Sequence, residues 1–425
     1  MRQATTERSA LLRDTNFRWL MGGGLVSALG DQFTMIALPW LVLTMTGSAL
    51  TMGLVIALMS IPRALLILVG GALVDRYSPK SVLMLSKHAN AALLLVLAVM
   101  VLSDTVSMPA VFVLAFGMGV ASAFSIPSGT SLLPHVVAPP QVPMANGILM
   151  GLRQLSILSG PLLAALVFAL YGDGSAAGAH AARGIGIAFA LDCFSFVFSG
   201  WTLARVQLLH APARSAPEAL FKSIGAGLAM VWHDRALRVC MLYWGLGALV
   251  VGGTMQVALP VLASTRLGGA SALGLILGAH GAGSLAGMAL TGVLGKFRLG
   301  TFGATLLAVD AIVAVLLVVM AAVEATWQAA GLMLALGLLG GFMQVAVLSW
   351  LQQRVPRAML GRAMSIFMFV FMGVAPLAAA IAGWLLQYVS LGQLFAGAGA
   401  ALLVAVVIAW LGTNLRAMTD TPAPG

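Results

Sequence analysis

Apolar residues along this chain run in blocks of about 20 or more, each closed by a short cluster of glycine, proline, serine or charged residues. A block of that length spans the hydrocarbon core of a bilayer as a helix, the form in which a single segment satisfies all its own backbone hydrogen bonds. The blocks fall at 17–44, 49–73, 82–103, 108–132, 144–171 and 184–204, then at 237–263, 270–295, 301–322, 326–350, 359–388 and 391–413. The pattern predicts an all-α integral membrane protein with twelve spans and both termini on one side. The first block is too long for the apolar core of a cleavable signal, so it is expected to remain as the first span.

The longest polar connection, 205–236, contains Pro212, Pro217 and several charges and divides the chain into two six-helix bundles, 1–204 and 237–425. Within it Phe221, Ile224, Leu228 and Val231 recur at helical spacing opposite Lys222 and Ser223. That spacing predicts a short amphipathic helix on the cytoplasmic interface of the linker. The two bundles also repeat each other. Ala37-Leu38-Pro39 returns as Ala258-Leu259-Pro260, Ser48-Ala49-Leu50 as Ser271-Ala272-Leu273, Gly71-x-Leu73 as Gly292-x-Leu294, and Pro161-Leu162 as Pro376-Leu377. Their common order and near-constant offset predict a duplicated unit, related by an axis along the membrane normal.

Composition agrees with the pattern: 61% of residues are hydrophobic and 8% are charged, with a mean hydropathy of +1.04. No water-facing surface could be built from that balance. The net charge of +10 does not mark a nucleic-acid partner, because the basic residues lie in short loops between apolar blocks. With the N-terminus cytoplasmic, one side holds Arg2, Arg8, Arg13, Arg18, Arg76, Lys80, Lys87, Arg205, Arg214, Lys222, Arg235, Arg238, Lys296, Arg298, Arg354, Arg357, Arg362 and Arg416. The other holds only Arg183 and Arg266, an asymmetry that predicts cytoplasmic termini. Cys193 and Cys240 have no CxxC or metal-ligand spacing. No metal or cofactor is expected, and no nucleotide-binding or hydrolase motif appears, so direct use of ATP and intramembrane catalysis are both disfavoured.

Between the second and third blocks stands Gly70-Gly71-Ala72-Leu73-Val74-Asp75-Arg76-Tyr77-Ser78-Pro79-Lys80. This string resembles the signature loop of the major facilitator superfamily, with Ser78 and Pro79 in place of a glycine and a basic residue. The resemblance implies that Asp75 braces the start of the eleventh span in the outward-facing state, with Gly71, Arg76 and Lys80 completing a gating loop. Asn146 through Pro161, carrying Arg153, Gln154, Gly160 and Pro161, is similar to the branch holding bacterial macrolide-efflux proteins and the enterobactin exporter. Leu29-Gly30-Asp31 and Leu191-Asp192 agree with that branch. It implies a multi-pass protein of the bacterial inner membrane, acting as a monomer among membrane lipids.

Charges inside the blocks are the candidate chemistry, since one at the bilayer centre costs at least about 2.5–3.5 kcal/mol. Asp31 and Arg63 fall at similar depth in the first two spans, and Arg153 is a competing partner for Asp31. For Asp31 two roles are open: proton coupling or substrate contact, and a buried structural ion pair. Asp192 and Asp310 lie on spans that pack at the periphery in this fold, so structural hydrogen bonding is expected for both. Gln256, His280 and Gln344 are candidates to line a cavity from the second half. Trp40, Trp244, Trp327 and Trp384 are expected as interface anchors. The reading is a proton-coupled antiporter that exports amphipathic or hydrophobic small molecules, drugs or siderophores, by alternating access, the alternative being a lipid or lysophospholipid facilitator on the same fold.

Overall fold

The computed structural model describes residues 11–174, 182–209, 220–294, 299–355 and 359–419. At 67–76, 220–224, 226, 227, 292–294, 360–362, 365, 368, 371 and 372 it describes the backbone only. No strand occurs among the described residues. The helices are α1 Thr15–Thr46, α2 Ala49–Arg76, α3 Pro79–Leu102, α4 Met108–His135, α5 Pro139–Tyr171, α6 Arg183–Arg205 and α7 Leu220–His233. They continue as α8 Arg235–Leu267, α9 Ala270–Leu294, α10 Phe302–Met320, α11 Thr326–Arg354, α12 Leu360–Leu385 and α13 Leu391–Gly412. All but α7 and α12, eleven among the described residues, are long and apolar enough to cross a membrane, and α12 supplies the shorter apolar stretch Gly373–Leu385. The twelve sequence blocks coincide with α1–α6 and α8–α13.

By backbone proximity the described residues up to 44 and those within 58–220 form one compact unit, and residues 45–57 with the described residues from 221 onward form a second. In the first, α3 packs along α6; in the second, α10 packs along α13 in the corresponding way. The repeat extends to single atoms. Gly47 closes the α1–α2 turn with φ +60° and Gly268 closes the α8–α9 turn with φ +86°, 221 positions later. That left-handed conformation costs a residue with a Cβ but not glycine. A Cβ on Gly119 of α4 would stand 2.1 Å from the Met59 carbonyl oxygen, and one on Gly337 of α11 would stand 2.1 Å from that of His280. Met59 and His280 are again 221 apart. In each unit a helix pair therefore meets backbone to backbone through a missing side chain, the device that supplies packing where lipid removes the hydrophobic drive.

Residues 45–57 belong with α12. A Cβ on Gly53 would stand 2.6 Å from the Ala379 carbonyl oxygen, and one on Gly383 would stand 2.4 Å from that of Ala49. The core of the second unit is aromatic. Trp350 stacks on Phe302 at 5.3 Å, and Trp244 meets Trp350 at 6.0 Å and Phe367 at 5.6 Å, both edge to face. Trp244 is thus a core residue and not an interface anchor. Trp40 is buried as well, and its indole N–H donates to the Asp173 carbonyl at 2.7 Å. Both corrections have one cause, helix packing, which hydropathy does not record. Trp327 and Trp384 are exposed, as a belt residue is.

The predicted linker helix is α7. Val231 is buried in the second unit's core, while Leu228 and Trp232, one turn apart, are exposed. This exposed apolar edge suits a helix lying in the membrane interface. Phe221 and Ile224 have side chains outside the description.

Candidate functional site

The polar centre of the first unit is built on one face of α1. Ser27, Asp31 and Thr34 follow at i, i+4 and i+7, which stacks them on the same side of a helix. Opposite stand α3 and α6. The Lys87 ammonium donates to Ser27 Oγ and lies 4.9 Å from the centre of the Phe196 ring. One turn beyond Asp31, Thr34 Oγ1 donates a short hydrogen bond to Asp192 Oδ2. Ser195 Oγ donates to Asp192 Oδ1 at 3.0 Å and to its carbonyl at 2.7 Å. Asp31 is therefore flanked by a lysine-bound serine one turn below and a carboxylate-bound threonine one turn above.

Glycine makes this approach possible. A Cβ on Gly30 would stand 2.0 Å from Ser195 Oγ and 2.3 Å from Asp192 Oδ1, and one on Gly23 would stand 1.9 Å from Thr202 Oγ1. On the other flank, a Cβ on Gly160 of α5 would stand 2.4 Å from Gln32 Cγ. Gly160 is seven residues from Arg153, so the face of α5 that carries Arg153 is the one turned to α1.

Two sequence expectations change here. Asp31 was matched with Arg63 or Arg153, yet among the described residues the ion pair within 4.0 Å is Arg354–Asp234, in the other unit. Lys87 of α3 is a further cation beside Asp31, its ammonium bonded to Ser27 one turn away on the same face of α1. Lys87 had been assigned with the loop charges of the cytoplasmic side; it stands inside α3 with its ammonium on α1. The sequence signal was available, since Ser86, Lys87, His88 and Asn90 form a polar stretch inside an apolar block. Asp192, in turn, is no peripheral residue: it is 1% exposed and bonded to two helices. Asp31 differs from it in being exposed, Arg63 is half-buried and Arg153 exposed. Gln154 is half-buried beside Arg153 on α5.

Of the gating loop, the side chains of Gly71, Asp75 and Arg76 lie outside the description. Lys80 lies within it, and its ammonium donates to the carbonyls of Ala204 at 3.1 Å and Val206 at 2.7 Å. A cation on the free carbonyls at the end of α6 complements the negative end of the helix dipole. Its observed role is to tie the α2–α3 turn to α6.

In the second unit Gln256 and His280 are half-buried and Gln344 is exposed. His280 hydrogen-bonds the backbone of Met333 on α11, which makes it a link between α9 and α11. Tyr243 donates to Asp310 at 2.7 Å, joining α8 to α10. At the helix ends, Asp234 caps α8 by accepting from Ala236 N at 2.8 Å and Leu237 N at 3.1 Å. Arg354 donates to both of its oxygens at 3.1 Å from the end of α11. Partial burial pushes the Asp234 carboxyl up, but the bonds from Arg354 and the two amides outweigh it and hold the group below the usual carboxylate range.

Among the described residues no group of side chains is suited to a metal ion. The arrangement places charge at mid-span depth, which a bilayer tolerates where the charge is partnered or meets a water-filled cavity. Known proteins point the same way. Over 229 residues the chain is 30% identical to the multidrug efflux pump Tap of Mycolicibacterium fortuitum, covering 52% of this chain and 53% of that pump. The match thus spans about half of the relative's length. The enterobactin exporter EntS of Salmonella paratyphi A is 25% identical over 352 residues, covering 81% of this chain and 80% of the exporter. Among solved structures, a bacterial homologue of the iron transporter ferroportin in an inward-facing state superposes with a TM-score of 0.70 at 18% identity over 92% of this chain and 97% of that one. The nucleoside transporter NupG gives 0.71 at 12% identity over 93% and 99%; at these identities the likeness is one of fold. The Major Facilitator Superfamily model matches residues 20–379, and with a repeated series of apolar helices that carry charges within their spans, the chain is a membrane transporter belonging to that superfamily.

Proposed function

We propose that the protein is a secondary active exporter that couples proton entry to the outward movement of an amphipathic or hydrophobic small molecule, a drug or a siderophore, by alternating access. The observation that carries the reading is Asp31, a carboxylate at the middle of α1 set between the lysine-bound Ser27 and the carboxylate-bound Thr34 on one helix face. A titratable group in that setting exchanges a proton only when it meets water on one side at a time. Efflux is favoured because the relatives named above are a multidrug pump and a siderophore exporter. Few charges line the spans outside this cluster, which fits a cargo that carries much of its own apolar surface.

The test uses the purified protein in sealed proteoliposomes, with a panel of hydrophobic cations, catecholate siderophores and lysolipids, with and without an imposed proton gradient. Gradient-driven accumulation of a panel member by the wild type, lost in Asp31→Asn while downhill exchange persists, is the expected result. Movement of lysolipid alone, indifferent to the gradient, would replace export with lipid facilitation.

A further inference from the structure

The proton-coupling reading leaves Lys87 and Asp192 unexplained. Lys87 is a second intramembrane cation beside Asp31, and Asp192 is a carboxylate with 1% exposure. Lys87 donates to Ser27 and rests on Phe196, and it forms no ion pair with either carboxylate among the described residues. Ser27 is one turn from Asp31 on α1 and Phe196 one turn from Asp192 on α6, so the ammonium stands beside the faces that carry both carboxylates. The α1 face sets the spacing: Ser27 is one turn below Asp31 and Thr34 one turn above, so neighbouring positions on this face are about 5–6 Å apart. A lysine side chain, with four rotatable carbons, covers that difference by changing rotamer.

We propose that Lys87 is a switching counter-ion, pairing with Asp31 while that carboxylate is ionised and moving to Asp192 when Asp31 takes up a proton. This rests on the proton-coupling reading above. The charge balance is simple. With Asp31 ionised, the ammonium pairs with it, and the charge of Asp192 is held by the hydrogen bonds from Thr34 and Ser195 alone. A proton from water adds to Asp31 and makes it neutral. The ammonium then pairs with Asp192, so that the buried carboxylate gains the counter-charge a low-dielectric interior favours. Release of the proton reverses both changes, so one proton moves per cycle.

The geometry around Asp192 suits a waiting acceptor. Thr34 and Ser195 donate to its two oxygens, fixing the carboxylate without neutralising it, and Gly30 leaves the space it occupies. The charged groups facing the switch are Arg63 on α2 and Arg153 on α5, both acting on Asp31. On α6 the Cys193 thiol lies beside Asp192 and donates to the Ala91 carbonyl at 3.2 Å. Because Lys87 links α1 to α3 in one state and α3 to α6 in the other, the proton alters which helices of this unit are held together.

The experiment compares wild type, Asp192→Asn, Thr34→Val, Lys87→Gln and Lys87→Arg, each full length in proteoliposomes. In Asp192→Asn the ammonium has no second partner and stays on Asp31, so the acid limb of gradient-driven transport moves to lower pH by about one unit. Thr34→Val, which keeps the shape and removes one donor, moves it the same way by less and covers the case in which Asp192→Asn does not fold. Lys87→Gln loses gradient-driven accumulation at least tenfold while keeping downhill exchange, and Lys87→Arg restores coupling. Infrared difference spectra between neutral and acid pH are expected to show a carboxylic-acid band that Asp31→Asn abolishes and Asp192→Asn retains. An unshifted pH limb in both Asp192→Asn and Thr34→Val, or a band that disappears in Asp192→Asn, overturns the switch while leaving Asp31-dependent export standing. A wild type indifferent to the proton gradient overturns both.

Discussion

Replacing Gly30 by alanine is the sharpest probe of how the first unit is assembled. The new methyl group would stand 2.0 Å from Ser195 Oγ and 2.3 Å from Asp192 Oδ1. Neither atom can yield freely, since Ser195 is bonded to Asp192 and Asp192 to Thr34. Overpacking of a filled core costs about 1–3 kcal/mol, and weakening one charge-assisted bond to Asp192 adds about 1 kcal/mol or more. Gly24, on the same helix, has nothing within 4 Å of a built Cβ. Gly24→Ala is therefore expected to be neutral or to stabilise by up to about 1 kcal/mol through helix propensity. Because the propensity gain is common to both sites and cancels, the contrast between the two alanines is about 2–4 kcal/mol. Thermal unfolding of both variants in one detergent reads the difference, and transport in proteoliposomes reads its consequence at the site. Gly30→Ala unfolding with Gly24→Ala, at full transport rate, would refute the claim that α1 and α6 meet through this missing side chain.

The duplicated contact makes a paired prediction: Gly119→Ala and Gly337→Ala each set a methyl 2.1 Å from a backbone carbonyl and should destabilise by similar amounts, about 1–3 kcal/mol, in the same unfolding assay. Asp234→Ala removes a helix cap and a partly exposed ion pair together and should cost about 1–3 kcal/mol, whereas Asp234→Asn keeps the cap and should cost under about 1 kcal/mol. Because the folded Asp234 titrates below its unfolded value, its contribution is present above about pH 4 and fades as pH falls further; wild type and Asp234→Asn should converge in stability in acid. Trp244 has a buried indole N–H with no partner among the described residues, so Trp244→Phe should lose part of its edge-to-face packing but gain from removing that donor, for a net change within about 1–2 kcal/mol by unfolding. Finally, a cysteine placed at Ala213 should resist a membrane-impermeant thiol reagent added outside intact cells; labelling there would invert the topology.

The membrane-spanning architecture was legible from the chain because lipid imposes a one-dimensional rule. A segment crosses if about 20 residues are apolar, whatever surrounds it, and every block from 17–44 to 391–413 meets a helix. The repeat was legible for a related reason: Ala37-Leu38-Pro39 and Ala258-Leu259-Pro260 preserve a local backbone feature, as do Gly47 and Gly268 at the turns. Asp31 stood out because a charge in an apolar block has a cost that hydropathy alone exposes. What hydropathy cannot carry is direction around a helix axis relative to a neighbour. Depth in the span leaves the partner of Asp31 open between Arg63 and Arg153 and passes over Lys87, whose long stem brings its charge from another helix to Ser27. Asp192 looked peripheral until Gly30 brought α6 against α1, and Trp40 and Trp244 looked like interface anchors until close packing enclosed them. Which side chains meet depends on where two helices approach within a few ångströms. Here the approach is set by glycines whose meaning lies in the atoms opposite them, so it became visible only in the tertiary structure.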